Sequence, residues 1–283
     1  MTGPTTRIDP LTGERTVIVG DRQARPNLPV DDCPFCPGGL EAPEDYDVGW
    51  FANRWPPLAA GCAEVVLYTP DHDASLATLR PDRVVQLIEL WAARTAALGA
   101  RDDVAYVLVF ENRGAEVGAT IPHPHGQIYA FDEVPPAPLA ELGAGPCALC
   151  AEEPGERLVA TAGGWRAWLP AAATWPYGLV LAPEDHLADL AEATPTHDDL
   201  ARLLVDVFGR LDRLFGAPMP LMWWWHQRPT DGGAWPGAHL HAHVAPLLRK
   251  AATPRFVAAG ELGSGVFFNP VRPEDAASQL RAT

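Results

Sequence analysis

The sequence predicts an α+β protein built from two fused copies of one unit, each a mainly antiparallel sheet with packed helices. Three observations predict it. Ligand-type residues recur in order: Cys33-x-x-Cys36, His72 and His123 in the first half, then Cys147-x-x-Cys150, His186 and His241 in the second. Cys36 to His72 and Cys150 to His186 both span 36 residues, while His72 to His123 spans 51 and His186 to His241 spans 55. The turn-like Thr230-Asp231-Gly232-Gly233 is placed to absorb the four extra residues, so the period reads as an internal repeat. In each half, short apolar runs of strand length accompany one long helical pattern. Pro135-Pro136-Ala137-Pro138 stands between the halves as a linker, which divides the chain into residues 1–137 and 138–283.

The elements follow in order. Asp9-Pro10-Leu11-Thr12-Gly13 is a turn and Thr16-Val17-Ile18-Val19 a short strand. Cys33 to Gly39 is a tight knuckle, and Ala63 to Tyr68 is an apolar strand ending at Pro70-Asp71-His72. A helix starts at Pro81, carries Val84, Leu87, Ile88, Trp91 and Leu98 on one face and stops at Gly99; proline in the first turn and glycine at the end are the expected boundary signals. Val104–Phe110 is a continuous apolar strand running into Glu111-Asn112-Arg113-Gly114. The second half repeats the series with strands at 156–161, 166–169 and 178–182, a helix opened by Pro195 with Leu200, Leu203, Leu204, Val207, Phe208 and Leu211 on its apolar face, and strands at 221–228 and 239–244.

Composition sets limits. The chain has 283 residues, 47% of them hydrophobic, enough for a sizeable core. Its net charge of −15 argues against nucleic acid as a partner, because phosphate-backbone binding rests on basic patches. A phosphate-bearing small molecule would have to be held by a few local arginines or backbone donors. No apolar leader precedes Arg7 and no apolar run reaches membrane-spanning length, so a cytoplasmic location is expected.

Four of the five cysteines form the two Cys-x-x-Cys pairs, and Cys62 reads as a small buried hydrophobe. Thiolates with neutral imidazoles suit zinc, and four protein ligands leave no open position, which is the structural type. Two zinc sites are therefore expected, Cys33/Cys36/His72/His123 and Cys147/Cys150/His186/His241. A redox dithiol is the alternative reading of each pair.

Thr120-Ile121-Pro122-His123-Pro124-His125-Gly126-Gln127-Ile128-Tyr129 is the stretch with the most chemistry. On extended chain, alternate residues face one side, so His123, His125 and Gln127 converge. Gly126 lets something approach the backbone closely. If His123 is a metal ligand, its strand is pinned and His125 is held in place.

The chain resembles the galactose-1-phosphate uridylyltransferase family, a branch of the histidine-triad superfamily. The resemblance runs through Asp9-Pro10-Leu11-Thr12-Gly13, the Arg22/Arg25 segment, the Cys33 knuckle, Asn53-Arg54-Trp55-Pro56, Pro70-Asp71-His72, Phe110-Glu111-Asn112-Arg113-Gly114, the His-Pro-His-Gly-Gln motif, His241-Ala242-His243 and Pro246-Leu247-Leu248-Arg249. It implies two fused histidine-triad-like repeats, usually a homodimer, exchanging UMP between UDP-glucose and galactose 1-phosphate by a ping-pong route. By that resemblance His125 is the nucleophile, and Gln127, Asn112 and Thr120 reach the phosphoryl oxygens. Phe51, Asn53 and Trp55 line a uridine pocket. Arg22, Arg25, Arg255, Phe256 and Glu261 contact phosphate and hexose, some of them from the other subunit. Chemistry agrees: a neutral imidazole is a good nucleophile and a good leaving group from phosphorus, so it can split one transfer into two.

The sequence departs from the family pattern in places. Thr120-Ile121 stands where Ser-Asn is common. A second metal set with glutamate, Glu141/His226/His241/His243, competes with the second Cys-x-x-Cys set for His241. In the second half His243 reads as the counterpart of the nucleophile, with Ala245 two residues on where the first half has glutamine, so that half reads as catalytically silent. Two other functions fit the motifs: a nucleotide phosphorylase acting on a dinucleoside tetraphosphate or an ADP-sugar through the same nucleophile, and a zinc-stabilised nucleotide-binding protein without turnover.

Overall fold

A computed structural model describes residues 4–20, 33–143 and 146–283. A hairpin opens it, β1 (Thr5–Ile8) antiparallel to β2 (Arg15–Ile18). Next come β3 (Gly49–Ala52), β4 (Ala63–Leu67), α1 (Pro81–Gly99), β5 (Tyr106–Arg113) and β6 (His125–Phe131). A short α2 (Pro136–Leu142) joins the halves. The second half supplies β7 (Leu158–Ala162), β8 (Trp165–Trp168), β9 (Leu179–Pro183), α3 (His197–Leu214), β10 (Leu221–His226) and β11 (His241–Pro246). β12 (Leu248–Lys250), β13 (Thr253–Pro254), α4 (Ala259–Ser264) and α5 (Pro273–Arg281) end the chain. No helix among the described residues is long and apolar enough to cross a membrane.

Nine strands make one antiparallel sheet in the order β3-β4-β6-β5-β10-β11-β9-β8-β7. The repeats share this sheet and meet at β5 and β10, where Arg113 stands opposite Leu221 and Phe110 opposite Trp224. The order β4-β6-β5 on one side of that seam is mirrored by β9-β11-β10 on the other, as a two-fold repeat requires.

Strand alternation divides the sheet into two chemistries. Val66, Tyr68, Val107, Val109, Ile128, Leu221, Trp223, Trp225, Ala242 and Val244 form the main core with Val84, Leu87, Ile88, Trp91 and Leu98 of α1 and Leu200, Leu203, Leu204, Val207, Phe208 and Leu211 of α3. Those helix positions recur at three- and four-residue spacing, which puts them on one stripe each. The intervening strand residues face away from α1 and α3. They include His125 and Gln127 on β6, Phe110 and Asn112 on β5, Trp224 and His226 on β10, and His241 and His243 on β11.

The elements depart from the sequence reading at their edges. α1 begins at Pro81, as the proline signal predicts, but α3 begins at His197 because Thr194–Thr196 forms a separate 3-10 turn. β5 runs on to Arg113 because β10 continues to pair with it there. The proline-rich linker is the start of α2, with Pro136 in the first turn, where its missing N–H leaves no bond unmade.

Candidate active site and metal clusters

The first Cys-x-x-Cys set assembles as the sequence predicts. Cys33 and Cys36 Sγ lie 3.7 and 3.6 Å from His123 Nδ1, and Cys36 Sγ is 3.5 Å from His72 Nδ1. Tetrahedral zinc with ordinary Zn–S and Zn–N bonds would space sulfur and nitrogen roughly 3.6 Å apart, so the donor set fits that ion. His123 is buried, and burial lowers its pKa, which favours the neutral ligand form. Its Nε2–H donates to the Thr69 carbonyl oxygen at 2.7 Å, which leaves the Nδ1 lone pair facing the sulfurs. The Tyr46 hydroxyl, 2.6 Å from the Phe35 carbonyl oxygen and 2.9 Å from His123 Nε2, ties the knuckle to the same ring.

His125 stands two residues on, at the start of β6. Its Nδ1–H donates to the His123 carbonyl oxygen at 2.8 Å, which assigns the ring's lone pair to Nε2. A pocket is lined by His125, Gln127, Phe51, Asn53 and Trp55, together with Phe35, Glu41 and Ile121. Asn53 Nδ2 donates to Gln127 Oε1 at 3.4 Å, and the Tyr129 hydroxyl donates to the same oxygen at 3.2 Å, which turns the Gln127 NH₂ away from those two donors. Phe35, from inside the cysteine knuckle, meets the His125 ring edge-on at 5.0 Å and Phe51 at 5.6 Å. The sequence reading missed Phe35. Its position between two metal-type cysteines hid its other neighbour, because the pocket forms only when β3 and β6 meet across β4.

The second thiolate set needs one correction. Cys147 and Cys150 gather with His186 and His239, not with His241. His239 Nδ1 lies 3.3 and 3.5 Å from the two Sγ atoms, and His186 Nδ1 lies 3.1 Å from Cys150 Sγ. His239 Nε2–H donates to the Pro183 carbonyl oxygen at 3.0 Å, as His123 does to Thr69, and burial lowers its pKa to about 4. The spacing from His186 to its partner is then 53 residues, so the second half carries two extra residues and not four.

This shift re-registers the second half. His241 corresponds to His125, with the same Nδ1–H bond to the carbonyl two residues back, at 2.7 Å to His239. His243 corresponds to Gln127: Trp224 pairs with His243 as Phe110 pairs with Gln127. The assignment of His243 to the nucleophile's place was therefore off by one same-face step.

The pseudo-symmetric mate of the pocket is a third cluster. His226 Nδ1, His241 Nε2 and His243 Nε2 approach one oxygen of Glu141, Oε2, at 2.6, 2.9 and 2.9 Å. Burial opposes the Glu141 charge, but the three imidazole contacts outweigh it and hold the carboxyl far below the usual carboxylate range. The four donor atoms of each of the three sets lie within 4.8 Å of one another. The two alternatives weighed for His241 are thus separate clusters, because α2 swings Glu141 over the open face of β10 and β11 while His239 completes the thiolate set.

The remaining predicted residues fall in three places. Asn112 lies two positions from Phe110 on the same face, while Thr120 is exposed and its neighbour Ile121 lines the pocket. Arg22 and Arg25 lie outside the described residues. Arg255 and Glu261 are buried as a pair, Nη2 to Oε1 2.5 Å, with the guanidinium over the Trp175 and Phe267 rings, and Phe256 is 73% exposed. None of these three lines the His125 pocket in this chain. A larger cavity between α1 and residues 227–233, lined by Thr95, Asp189, Gln227 and Arg228, contains no sequence-predicted site residue.

A family model described as "Galactose-1-phosphate uridyl transferase, N-terminal domain" matches residues 56–135, and its C-terminal counterpart matches residues 148–282. A Thermotoga maritima galactose-1-phosphate uridylyltransferase is 35% identical over 98% of both chains. A solved structure titled as that of a uridylyltransferase superposes with TM-score 0.87 and 30% identity, covering 98% of this chain and 97% of the other. An Arabidopsis thaliana ADP-glucose phosphorylase shares the fold at TM-score 0.79 and 24% identity, covering 99% of each chain.

Proposed function

Because the chain belongs to the galactose-1-phosphate uridylyltransferase family, we propose that it exchanges UMP between UDP-glucose and galactose 1-phosphate through a covalent uridylyl group on His125. In the first half-reaction His125 Nε2 attacks the α-phosphorus of UDP-glucose. A P–N bond forms as the P–O bond to glucose 1-phosphate breaks. In the second, a phosphate oxygen of galactose 1-phosphate attacks that phosphorus and the imidazole leaves with the electron pair of the P–N bond. The observation that carries this reading is the His125 ring itself. It is anchored through Nδ1–H to the His123 carbonyl, so Nε2 carries the lone pair, and it lines one pocket with Gln127 and Asn53.

The groups around it divide the work. Gln127, with its amide oxygen held by Asn53 and Tyr129, offers an oriented NH₂ to charge developing on the phosphoryl oxygens. Phe35, Phe51 and Trp55 suit the faces of a nucleobase. Gln127→Ala should still form the adduct but about 10²–10³-fold more slowly, the usual effect of a lost oxyanion donor. Rapid-quench labelling with UDP-glucose measures it, and an unchanged rate would remove Gln127 from the transfer step.

The two Cys2His2 sets fit zinc, held at Cys33/Cys36/His72/His123 and at Cys147/Cys150/His186/His239. The Glu141/His226/His241/His243 set, with three imidazoles and a carboxylate, suits a divalent first-row ion. When bound, zinc in the first set supplies a structural cross-link with no open coordination position.

A cytoplasmic homodimer completes the reading. Nε and Nη1 of buried Arg255 have no hydrogen-bond partner among the described residues, and Phe256, Leu262 and Phe268 beside it are each about two-thirds exposed or more. That arrangement suits an arm that meets substrate and protein in a second subunit. Mixed dimers of Arg25→Ala and His125→Ala chains should regain part of the activity that each parent lacks. No regain in verified mixed dimers would place both residues in one site of one chain.

Incubation with UDP-glucose alone, then intact mass under mildly alkaline conditions, tests the function. A gain of one UMP is expected. AMP labelling from an adenine nucleotide instead would mark a phosphorylase, and no adduct from either would mark a binding protein.

A further inference from the structure

Gly126 separates His125 from Gln127, and its Cα faces the helices, not the pocket. The space a side chain would fill there is already taken. A Cβ on Gly126 would run into the Tyr68 hydroxyl, with the Tyr68 ring carbon Cζ at 3.1 Å and the Phe110 carbonyl oxygen at 3.0 Å. The glycine has an ordinary negative-φ backbone, so its role is room and not conformation. Tyr68 is 1% exposed, and its ring packs on Trp91 at 5.9 Å. Its hydroxyl reaches across β6 beside Glu111, a carboxylate that is 5% exposed and takes the Trp223 Nε1–H at 2.7 Å. Burial and the neighbouring carboxylate push the Tyr68 phenol well above its ordinary pKa, and burial raises that of Glu111.

This polar group lies under one half only. Val66 pairs with Gly126 on β4 as Leu181 pairs with Ala242 on β9. The register carries Gly126 onto Ala242 and Glu111 onto Trp225, and the residues that follow Leu181 on β9 are Ala182 and Pro183, so the second half has neither the phenol nor the carboxylate. Stability alone gives no reason for the difference, because a phenylalanine at 68 would fill the same space without burying a hydroxyl.

Resting on the uridylyl-transfer reading, we infer that Tyr68, Gly126 and Glu111 are coupled positioning residues that hold the back of β6 and so set where His125 and Gln127 meet the phosphorus. None of them touches substrate. Gly126 lets the Tyr68 ring lie against the strand; the buried Tyr68 hydroxyl makes no hydrogen bond among the described residues, and Glu111, tied to β10 through Trp223, is the carboxylate beside it.

The test is a substitution cycle on the metal-loaded, full-length protein, read as the single-turnover rate of uridylylation per labelled His125. Gly126→Ala should slow that rate about 10²-fold, the scale expected when reacting groups are displaced by about an ångström. Tyr68→Phe alone should slow it only a few-fold. Combined, Tyr68→Phe should rescue Gly126→Ala to within a few-fold of Tyr68→Phe, because removing the hydroxyl leaves only contacts near 3 Å that small shifts relieve. The KM for UDP-glucose should be unchanged throughout. A wild-type rate for Gly126→Ala, or a double variant as slow as Gly126→Ala, overturns the inference. If Gly126→Ala does not fold, Tyr68→Phe and Glu111→Gln decide: non-additive slowing supports the coupling, and additive slowing or none overturns it. Absence of label on His125 in the unaltered protein would instead sink the uridylyl-transfer reading.

Discussion

A His125→Gly protein is expected to fold, to keep its metal and to catalyse neither half-reaction, with a loss of about 10⁴-fold or more, as when other covalent nucleophiles are removed. The reason is geometric. His125 contributes nothing to the thiolate cluster beside it; its Nδ1–H is spent on the His123 carbonyl and its ring lines the pocket. Removing the ring leaves a hole the size of an imidazole, bounded by Phe35 and Gln127. Free imidazole can enter that hole, take the uridylyl group from UDP-glucose and leave as uridylyl-imidazole. Rescue of glucose 1-phosphate release by added imidazole checks this directly. A His125→Gly protein that still exchanges UMP at more than about a hundredth of the wild-type rate would remove the covalent step.

The second large effect concerns the knuckle. Cys36→Ser should lose one metal ion per chain and lower kcat by about 10²-fold or more, because three things that define the pocket depend on that cluster. The His123 ring is oriented by the sulfurs and Thr69. The His125 ring is bonded to the His123 backbone, and Phe35 lies inside the knuckle. A shift of about 1 Å in groups that must meet phosphorus in line is enough for a loss of that size. Cys150→Ser is the matched control. It should also lose one ion per chain yet leave kcat within a few-fold, since its cluster contains neither His125 nor any residue of the pocket that His125 lines. Elemental analysis and steady-state kinetics on both variants decide the matter. Equal loss of activity in the two would mean that the clusters serve overall stability and not the site.

Much of this architecture is readable from spacing. The repeat, the helix from Pro81, the first Cys2His2 set and the His125–Gln127 row each follow from a local rule: a count between ligands, a cap residue, or the two-residue period of a strand. The errors came where two residues could satisfy one rule. His239 and His241 are both histidines on the same side of one extended segment, and the fold separates them: His239 meets the two sulfurs, with its other ring nitrogen on the Pro183 carbonyl, while His241 meets Glu141. The Glu141/His226/His241/His243 set, weighed as a rival for His241, does assemble, because α2 carries Glu141 across the open face of the sheet. The Tyr68–Gly126–Glu111 group was invisible. Gly126 signals a close approach in the sequence, but the approach comes from the face opposite the pocket.

Peptide mapping of the enzyme trapped with UDP-glucose tests the central claim most directly. Protein quenched in mild alkali, digested and analysed by mass spectrometry should carry one UMP, on His125, in the peptide that contains Gln127. A uridylyl group on His241, on His243 or on any residue other than His125 would contradict the assignment of the nucleophile, and with it the division of the molecule into a catalytic first half and a silent second half.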